Sequence, residues 1–398
     1  MLGALAFGTS CEYPESRVLV LCFEGQVAFD EWEIPPSQDE VQLSTLDFSK
    51  SEINYAGRFL AGEEAADDPR MPQMALAVSR WRSSHEHALR KVISILRRHV
   101  RANGLQNAAV SARTKRLGSI VAKLKRQPSM ALTTMQDIGG CRLVVSKMEE
   151  VQRVASNIKS VLASQLSSGG DIREYDYIAK PKTDGYRSVH FVVRYQPDIP
   201  GISSQRIEIQ IRSLLQHRWA TAVETVDLFT HQTLKIGGGD SGWREFFALT
   251  ASLFALKEKC SPVPGLPTES DQLSSQMRIL ANELRIVERL QSWSTIMRDV
   301  LEAPRKHRRV PEGLDRYCYL IEIDVENKLT KVMPFPPEFI KSAHKMYLET
   351  EERNLQFPNR SAVLATAYSL ADLRAAYPSY YGDTRAFLQD TGLITTQR

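Results

Sequence analysis

The sequence predicts an α+β fold in which helices flank a mixed β-sheet. Two features lead to this prediction. Runs that alternate apolar and polar residues like strands, at 188–195 and 206–213, follow a segment with helical spacing at 148–166. Further strand-like runs at 316–335 and 362–368 predict an α/β extension at the C-terminal end of the sequence.

The other elements follow from periodicity and from breaks in it. Apolar residues at helical spacing predict one long basic helix over 74–100, which ends at Asn103 and Gly104. A second helix is expected near 115–126, and the stretch DIGGCRLVV at 137–145 is expected to form a strand. Later helices are predicted at 214–235, 243–258, 270–301 and 340–353.

Changes in texture divide the chain into four segments. Residues 1–70 are expected to form an irregular leader with one candidate strand, and residues 71–240 hold the alternating strands and helices. The glycine run at 237–239 is not a P-loop, because no Lys-Ser/Thr follows it. After it, residues 241–304 predict a helical segment and residues 305–398 an α/β extension, for which a regulatory role is our hypothesis.

Length and composition indicate an ordinary globular chain. With 398 residues, the chain can form roughly two or three domains whose cores need no disulfide. Its five cysteines are scattered without a C-x-x-C pair, which argues against a zinc knuckle or a redox motif. The short apolar run at 18–23 follows acidic residues, so we expect neither a signal peptide nor a membrane span, and we expect a cytoplasmic protein.

Positive charge is concentrated in one part of the sequence. The net charge is only +4, yet residues 80–126 contain thirteen Lys or Arg against one acid, Glu86. Such a block is either a solvated helix face or a surface that attracts polyanions such as nucleotides or RNA. The near absence of acids favours the second interpretation. Its members are Arg80, Arg82, Arg90, Lys91, Arg97, Arg98, Arg101, Arg113, Lys115, Arg116, Lys123, Lys125 and Arg126.

Two stretches carry candidate binding chemistry. YIAKPKTDGYRSVHFVV at 177–193 places lysines, an arginine, a histidine and a tyrosine around Gly185, directly before a strand. This stretch is either a hairpin entry or a grip for phosphate oxygens and a nucleotide base. In RIEIQIR at 206–212, isoleucines alternate with polar residues, which therefore share one face of a strand. The polar residues are Glu208, Gln210 and Arg212.

A second acidic residue makes a magnesium site conceivable. Asp137 is the first residue of the stretch DIGGCRLVV and stands immediately before its strand, where Gly139 and Gly140 leave room for a close neighbour. Either acid alone is more typical of a salt bridge. Two carboxylates among lysines and arginines, however, suit Mg²⁺, which binds one or two protein carboxylates and phosphate oxygens. Asp137 and Glu208 are therefore the candidate metal ligands.

Four ordered motifs resemble the synthetase domain of the RelA/SpoT alarmone family over roughly residues 75–240. RTKRLGSIVAK resembles the R-x-K…S-I-x-x-K segment of this family, and DIGGCRLVV resembles its D-x-x-x-x-R strand. YIAKPKTDGYRSVH resembles its P-K-x-x-G-Y-x-S-x-H loop, the G-loop that grips the acceptor, and IEIQIRS its E-x-Q-I-R-T strand. The resemblance implies a nucleotidyltransferase-like mixed sheet.

The resemblance also implies an activity, the transfer of a pyrophosphoryl group from ATP to the ribose 3′-hydroxyl of GDP or GTP, giving (p)ppGpp. Carried over by position, the metal and catalytic residues are Asp137 and Glu208, the latter sharing the metal or acting as a base. The ATP-binding residues are Arg113, Lys115, Ser119 and Lys123. The acceptor-binding residues are Lys182, Tyr186, His190, Gln210, Arg212 and Glu224, with Tyr186 stacking on the acceptor base. Mg²⁺ is the implied cofactor.

The departures from the family pattern leave alternatives open. Asp184 stands where the family usually has Asn before Gly-Tyr, and an added negative charge weakens or redirects acceptor binding. None of the eight histidines precedes Asp, so the His-Asp hydrolase of the long family members is not expected. The alternatives are a toxin-like enzyme that modifies the 3′ end of tRNA, synthesis of an adenosine alarmone, and a catalytically inactive RNA-binding module. The sequence leaves the oligomeric state open.

An aromatic cluster near the C-terminal end adds a hypothesis. Tyr377, Tyr380 and Tyr381 stand beside Pro378, and exposed aromatic clusters are unusual unless they dock on a surface. One hypothesis is that these rings pack on the C-terminal extension itself. The other is that they cover the nucleotide pocket and restrain the enzyme.

Overall fold

The computed structural model of the chain describes residues 17–21, 27–31, 48–62, 68–105, 107–166, 172–196, 204–230, 234, 238–291, 317–324, 329–335, 339–354, 357, 360–367 and 384–395. The strands are β1 (Arg17–Leu21), β2 (Val27–Glu31), β3 (Ala109–Thr114), β4 (Gly139–Val145), β5 (Arg173–Asp176), β6 (Val189–Tyr195), β7 (Gln205–Ser213), β8 (Tyr317–Asp324), β9 (Leu329–Phe335) and β10 (Arg360–Ala367). The helices are α1 (Lys50–Ala61), α2 (Met71–Ser84), α3 (Glu86–Ala102), α4 (Leu117–Arg126), α5 (Met148–Gln165), α6 (Leu214–Thr230), α7 (Ser241–Lys257), α8 (Ser270–Glu283), α9 (Ile340–Asn354) and α10 (Arg385–Thr391).

The described strands form one mixed sheet in the order β2-β1-β9-β8-β10-β3-β4-β7-β6-β5. Within the run β3-β4-β7-β6, named the central strands, β4 and β7 pair in parallel, and each pairs antiparallel with its other neighbour. Such a parallel pair needs a crossover connection, and α5 lies in the chain between the two strands. The predicted α+β fold with a mixed sheet is therefore confirmed.

The two faces of the central strands differ in character. One face is apolar and packs against α3 and α5, because alternate residues of β4, β6 and β7 are aliphatic or aromatic. Ile207, Ile209 and Ile211 of β7 are all completely buried there. The polar residues that alternate with them must project from the opposite face. The hydrophobic pattern thus sets the register that gathers the functional side chains on one side of the sheet.

Helices form two further apolar clusters beside the sheet. Helices α6, α7, α8 and α10 pack around the aromatic residues Trp243, Phe246 and Phe247. Helices α1, α2 and α4 pack around Trp81, and Ile53 of α1 is completely buried there. Helix α1 corrects the prediction that residues 1–70 are irregular, since its apolar residues find partners on α2 and α4 that periodicity alone does not reveal.

The C-terminal strands continue the central sheet. Strand β10 pairs antiparallel with β3, where Ala365 lies opposite Arg113, and its other edge pairs with β8. Helix α9 covers this part of the sheet with Ala343 and Tyr347. The hairpin at 317–335, the helix and the last strand were each predicted, but as parts of a separate unit. The division of the chain into four segments remains a prediction.

Between residues 71 and 114, one helix was predicted incorrectly and one strand was not predicted. The helix predicted over 74–100 is two helices, α2 and α3, which meet at His85. The side chains of Ser84 and His85 both donate to the Trp81 carbonyl, each at 2.8 Å, and such local bonds compete with the helical pattern. Strand β3 was not predicted, because its sequence AVSART shows no clear alternation.

Candidate active site

The polar face of the central strands gathers four of the predicted residues in two neighbouring rows: Arg113, Glu208, Gln210 and His190. Gly140 of β4 lies in register with Arg113 of β3 on one side and Glu208 of β7 on the other. The next row joins Arg142 of β4 to Gln210 of β7, and Gln210 to His190 of β6. Since Gly140 has no side chain, the face is open between Arg113 and Glu208.

Glu208 lies in the middle of this face and is held by two neighbours. Its Oε1 lies 3.0 Å from His190 Nδ1, and its Oε2 accepts a hydrogen bond of 2.7 Å from Gln210 Nε2. Burial raises the pKa of Glu208, but the hydrogen bond and charge of His190, with the bond from Gln210, outweigh burial and lower the pKa to about 2. Glu208 is therefore an ionised carboxylate with fixed orientation.

The second carboxylate, Asp137, is held by two lysines. Lys115 Nζ lies 2.6 Å from its Oδ2, and Lys123 Nζ lies 2.9 Å from its Oδ1. Burial raises the pKa of Asp137, yet the two ammonium groups reverse this effect and hold the pKa well below its usual value. Lys123 lies one turn after Ser119 on α4, and Lys115 lies two residues before this helix. Three of the four predicted ATP-binding residues are therefore on α4 or just before it.

The two carboxylates fit a divalent cation only in part. Within the described residues there is no group of three His, Cys, Asp or Glu that could hold a metal ion by itself. The charge of Asp137 nevertheless raises the pKa of Glu208, which shows that the two anions repel each other. A cation between them would relieve this repulsion, and Mg²⁺ commonly completes its shell with water and substrate phosphates. Asp137 and Glu208 therefore suit a metal that arrives with a nucleotide.

The loop before β6 is packed against aromatic and basic side chains. The Tyr186 hydroxyl lies 2.7 Å from His190 Nε2 and accepts a hydrogen bond of 2.6 Å from Arg212. Lys182 Nζ lies 5.0 Å from the centre of the Tyr186 ring and 4.7 Å from that of Tyr177. These contacts connect four of the predicted acceptor-binding residues, and they add Tyr177, which the sequence did not single out.

Gly185 allows the loop to sit close to helix α7. Its φ of +91° lies in the left-handed region, which favours glycine. A Cβ at this position would meet the Ala251 Cβ at 2.5 Å, far inside van der Waals contact. Arg187 fixes the same loop by donating to the Ser261 carbonyl at 2.6 Å. The geometry of the loop thus depends on α7 and on the turn that follows it.

A pocket that is partly open to solvent adjoins Tyr186. Trp219 and Phe247 contribute aromatic walls, and Asp184, Glu224 and Arg244 contribute charged groups. Asp184 Oδ1 accepts a hydrogen bond of 2.9 Å from the Tyr186 backbone N–H. The structure therefore places Glu224, the remaining predicted acceptor residue, across this pocket from the loop.

Arg142 is a residue of the site that the sequence reasoning missed. It projects from the polar face of β4 in register with Gln210, and its charge lowers the pKa of Tyr186 against the larger, opposite effect of burial. The signal that could have found it is the arginine of the D-x-x-x-x-R strand. The tyrosine cluster at 377–381 lies outside the described residues, so the hypothesis on that cluster stays a prediction.

The basic block does not form one continuous surface. Arg82 and Arg97 are only 1% and 8% exposed, and Arg82 forms an ion pair with Glu351. Arg90 pairs with Glu86 at 2.6 Å, whereas Arg98 lies exposed on α3. The interpretation of the whole block as a landing surface for polyanions is therefore wrong for its buried members. Burial of these arginines also removes part of the reasoning that favoured tRNA.

A mixed sheet with two ionised carboxylates, several lysines and arginines, and an aromatic pocket is the type of site that binds phosphorylated nucleotides. Comparison with known families agrees. A family profile described as "Region found in RelA / SpoT proteins" matches residues 112–228. The resemblance predicted from the four motifs is thus confirmed over residues 112–228.

Two curated relatives each match part of the chain. "GTP pyrophosphokinase YjbM" of Bacillus subtilis is 36% identical over 115 residues, which are 28% of this chain and 52% of that protein. The "GTP pyrophosphokinase" of Escherichia coli is 28% identical over 178 residues, 45% of this chain and 22% of that protein. The chain therefore spans about half of the first relative and about a fifth of the second.

Solved structures that are similar to this chain include small alarmone synthetase 2 of Bacillus subtilis. The two chains are 20% identical with a TM-score of 0.38, and the match covers 45% of this chain and 92% of the other. Small alarmone synthetase 1 of the same organism, solved with its product pppGpp, gives 22% identity and a TM-score of 0.33, covering 54% and 97% of the two chains. In the part of the chain that is described, no helix combines the length and apolar character that crossing a bilayer requires.

The low pKa of Glu208 makes its contribution to stability depend on pH. Because folding lowers this pKa from 4.5 to about 2, the ionised carboxylate stabilises the fold above pH 4.5, and this stabilisation is lost as the pH falls toward 2. We expect the difference in unfolding free energy between wild type and Glu208→Gln to shrink between about pH 6 and about pH 3, as measured by urea unfolding.

Glu258 provides a control with the opposite sign. Burial raises the pKa of Glu258, so its contribution to stability is present at low pH and is lost as the pH rises. The difference between wild type and Glu258→Gln should therefore change with pH in the opposite direction. Equal slopes for the two variants would contradict the assignment of a fixed, ionised Glu208.

Proposed function

We propose that the protein is an ATP-dependent pyrophosphokinase that transfers the β,γ-pyrophosphoryl group of ATP to the ribose 3′-hydroxyl of GDP or GTP, giving (p)ppGpp. The observation that carries this proposal is the position of the ionised Glu208 between a lysine-rich side and an aromatic side of one sheet face. The match of residues 112–228 to the RelA/SpoT region supports the same reaction class.

The lysine-rich side is suited to the donor. Lys115 and Lys123 both form ion pairs with Asp137. When Asp137 binds a metal cation instead, the two ammonium groups can bind phosphate oxygens of ATP. Arg113 of β3 lies next to this group, on the adenine side of the proposed ATP site. Mg²⁺ held by Asp137 and Glu208 would supply charge neutralisation for the transferred phosphates.

The aromatic side is suited to a guanine acceptor. The edge of guanine that normally pairs with cytosine presents two hydrogen-bond donors, N1–H and the N2 amino group. A carboxylate can accept hydrogen bonds from both. Asp184 and Glu224 offer such carboxylates in the pocket beside Tyr186. Adenine presents one donor group at the corresponding edge, so this lining favours guanine. Asp184 therefore selects the base in our proposal, where the sequence alone suggested weaker binding.

The proposed step forms a bond between the ribose 3′-oxygen and the β-phosphorus of ATP and breaks the bond from that phosphorus to the α,β-bridging oxygen, so that AMP leaves. The proton of the 3′-hydroxyl is released to water. Glu208, with a pKa of about 2, is a weak base in the free protein. This value supports an orienting role, in which Glu208 holds the hydroxyl and the metal, over the role of a general base. Positioning and charge neutralisation then supply most of the rate enhancement.

A labelling experiment tests the proposal. Purified protein is incubated with γ-labelled ATP, Mg²⁺ and, separately, GDP, GTP, ATP or total tRNA, and the labelled product is identified. We expect label on GDP and GTP. If only tRNA or only an adenine nucleotide becomes labelled, the assignment of a guanine nucleotide as the acceptor is wrong. If no acceptor becomes labelled, the proposed enzymatic function is wrong.

Replacement of Tyr186 tests the acceptor side. Tyr186→Ala removes a ring that lines the pocket, and loss of base stacking costs about 1 to 3 kcal/mol, so we expect the KM for GDP to rise about tenfold or more. The KM for ATP should change far less. Tyr186→Phe keeps the ring and removes only the hydroxyl that His190 and Arg212 contact, so this variant should retain most acceptor affinity. Equal increases in both KM values would assign Tyr186 a structural role.

A further inference from the structure

A buried polar cluster connects the C-terminal part of the chain to the segment that carries the proposed ATP-binding residues. Arg82 of α2 forms an ion pair with Glu351 of α9 and donates a hydrogen bond to the Tyr347 hydroxyl. Tyr347 in turn donates to Glu351 Oε1 at 2.8 Å. All three side chains are at least nine-tenths buried. A buried ion pair of this kind is costly to break, because one charge is then left without its partner.

The same cluster holds the backbone at the start of α4. Arg82 Nε donates a hydrogen bond of 2.8 Å to the Lys115 carbonyl. Glu351 Oε1 accepts a hydrogen bond of 3.0 Å from the Leu117 N–H, one of the donors that a helix leaves unpaired at its first turn. One arginine and one glutamate thus fix both sides of residue 116, directly between Lys115 and helix α4.

This segment determines where the lysines of the donor side lie. Lys115 precedes α4 and Lys123 follows within it, and both reach Asp137. Strand β10 supports the adjoining strand at the same time, since its Ala365 pairs with Arg113. The C-terminal part of the chain therefore contacts the donor side twice, through α9 and through β10.

We propose that Glu351 is a positioning residue for the donor nucleotide, which it serves by holding, with Arg82, the backbone at 115–117 in the conformation that ATP binding requires. This inference rests on the proposed function in assigning ATP to the lysine-rich side. On this view α9 and β10 support the donor site from behind, through the backbone at 115–117 and through β3.

The test compares two buried glutamates of the same C-terminal region. Glu351→Gln removes the charge that faces Arg82 while keeping the size of the side chain. Glu322→Gln is the matched control, because Glu322 is also buried and accepts its hydrogen bonds from Arg353 and Asn354. Glu351, in contrast, bonds to Arg82 of α2 and to the first residue of α4. For wild type and both variants, calorimetry measures the Kd of a non-hydrolysable ATP analogue and of GDP, and thermal unfolding measures stability.

We expect Glu351→Gln to raise the Kd of the ATP analogue about tenfold and that of GDP less than twofold, since only the donor segment loses its support. Glu322→Gln should lower the thermal midpoint without changing either Kd. A folded Glu351→Gln variant that binds the analogue like wild type, or that loses both ligands equally, would overturn the inference. Failure of the wild type to bind the analogue would instead count against the proposed function.

A milder variant covers the case in which Glu351→Gln does not fold. Tyr347→Phe removes the hydrogen bond that Arg82 donates to the hydroxyl and the one that the hydroxyl donates to Glu351, and it leaves the ring in place. We expect this variant to raise the Kd of the analogue about two- to threefold with no change for GDP. Wild-type affinity for the analogue in Tyr347→Phe, combined with an unfolded Glu351→Gln, would make the cluster a stabilising contact only.

Discussion

Glu208→Gln is expected to lower kcat for pyrophosphoryl transfer by about 1,000-fold or more, because it removes the negative charge at the centre of the polar sheet face. The replacement is nearly isosteric, and the amide can still contact Gln210 or His190, so the fold should persist. Steady-state kinetics with labelled ATP measure the loss, and circular dichroism checks the fold.

Glu258→Gln serves as the control for this substitution. Glu258 is a partly buried carboxylate that directly follows α7 and accepts a hydrogen bond of 3.2 Å from Gln216. Its replacement should leave kcat within about twofold of wild type. If the kcat of Glu208→Gln stays within about tenfold of wild type, Glu208 does not have the role in the reaction that we propose.

Gly185→Ala is expected to have the second largest effect. The added methyl group would lie 2.5 Å from the Ala251 Cβ on α7, so the loop must move away from the helix. Tyr186 follows directly in the chain and would move with it. A displacement of about 1 Å in a positioning group can cost about 100-fold in rate, and we expect kcat/KM for GDP to fall by about that factor.

The same substitution at Gly265 separates this clash from backbone strain. Gly265 has a φ of +87°, close to the +91° of Gly185, but a Cβ there would meet nothing within 4 Å. Gly265→Ala should therefore cost only the strain of a left-handed alanine, about 1 kcal/mol in unfolding free energy, with unchanged kinetics. If both variants behave alike, the close approach of the loop to α7 has no role in acceptor binding.

The sequence predicted the central part of the fold and site because the relevant signals are local. The alternation in β7 determined which face carries Glu208, Gln210 and Arg212. The glycine and lysines before β6 marked the loop that the structure places beside the pocket. Which of these side chains contact substrate remains a prediction.

The features that the sequence did not predict depend on distant partners. Arg82 appeared to be one more member of a basic block, yet it is buried against Glu351, and residues 83–350 separate the two in the chain. Periodicity reports which face of a helix is buried but not which distant charge meets it. The pairing of β10 with β3 escaped prediction for the same reason, since each strand reveals its own pattern and not its neighbour.

The pairing of β10 with β3 also has a consequence for the order in which the chain is synthesised. Strand β3 leaves the ribosome long before β10, so the nascent chain presents β3 as an open edge while residues 115–359 are being translated. Open edges invite pairing with other chains. Completion of the donor side therefore waits until β10 has been translated, and until then this edge of β3 lacks its native partner strand.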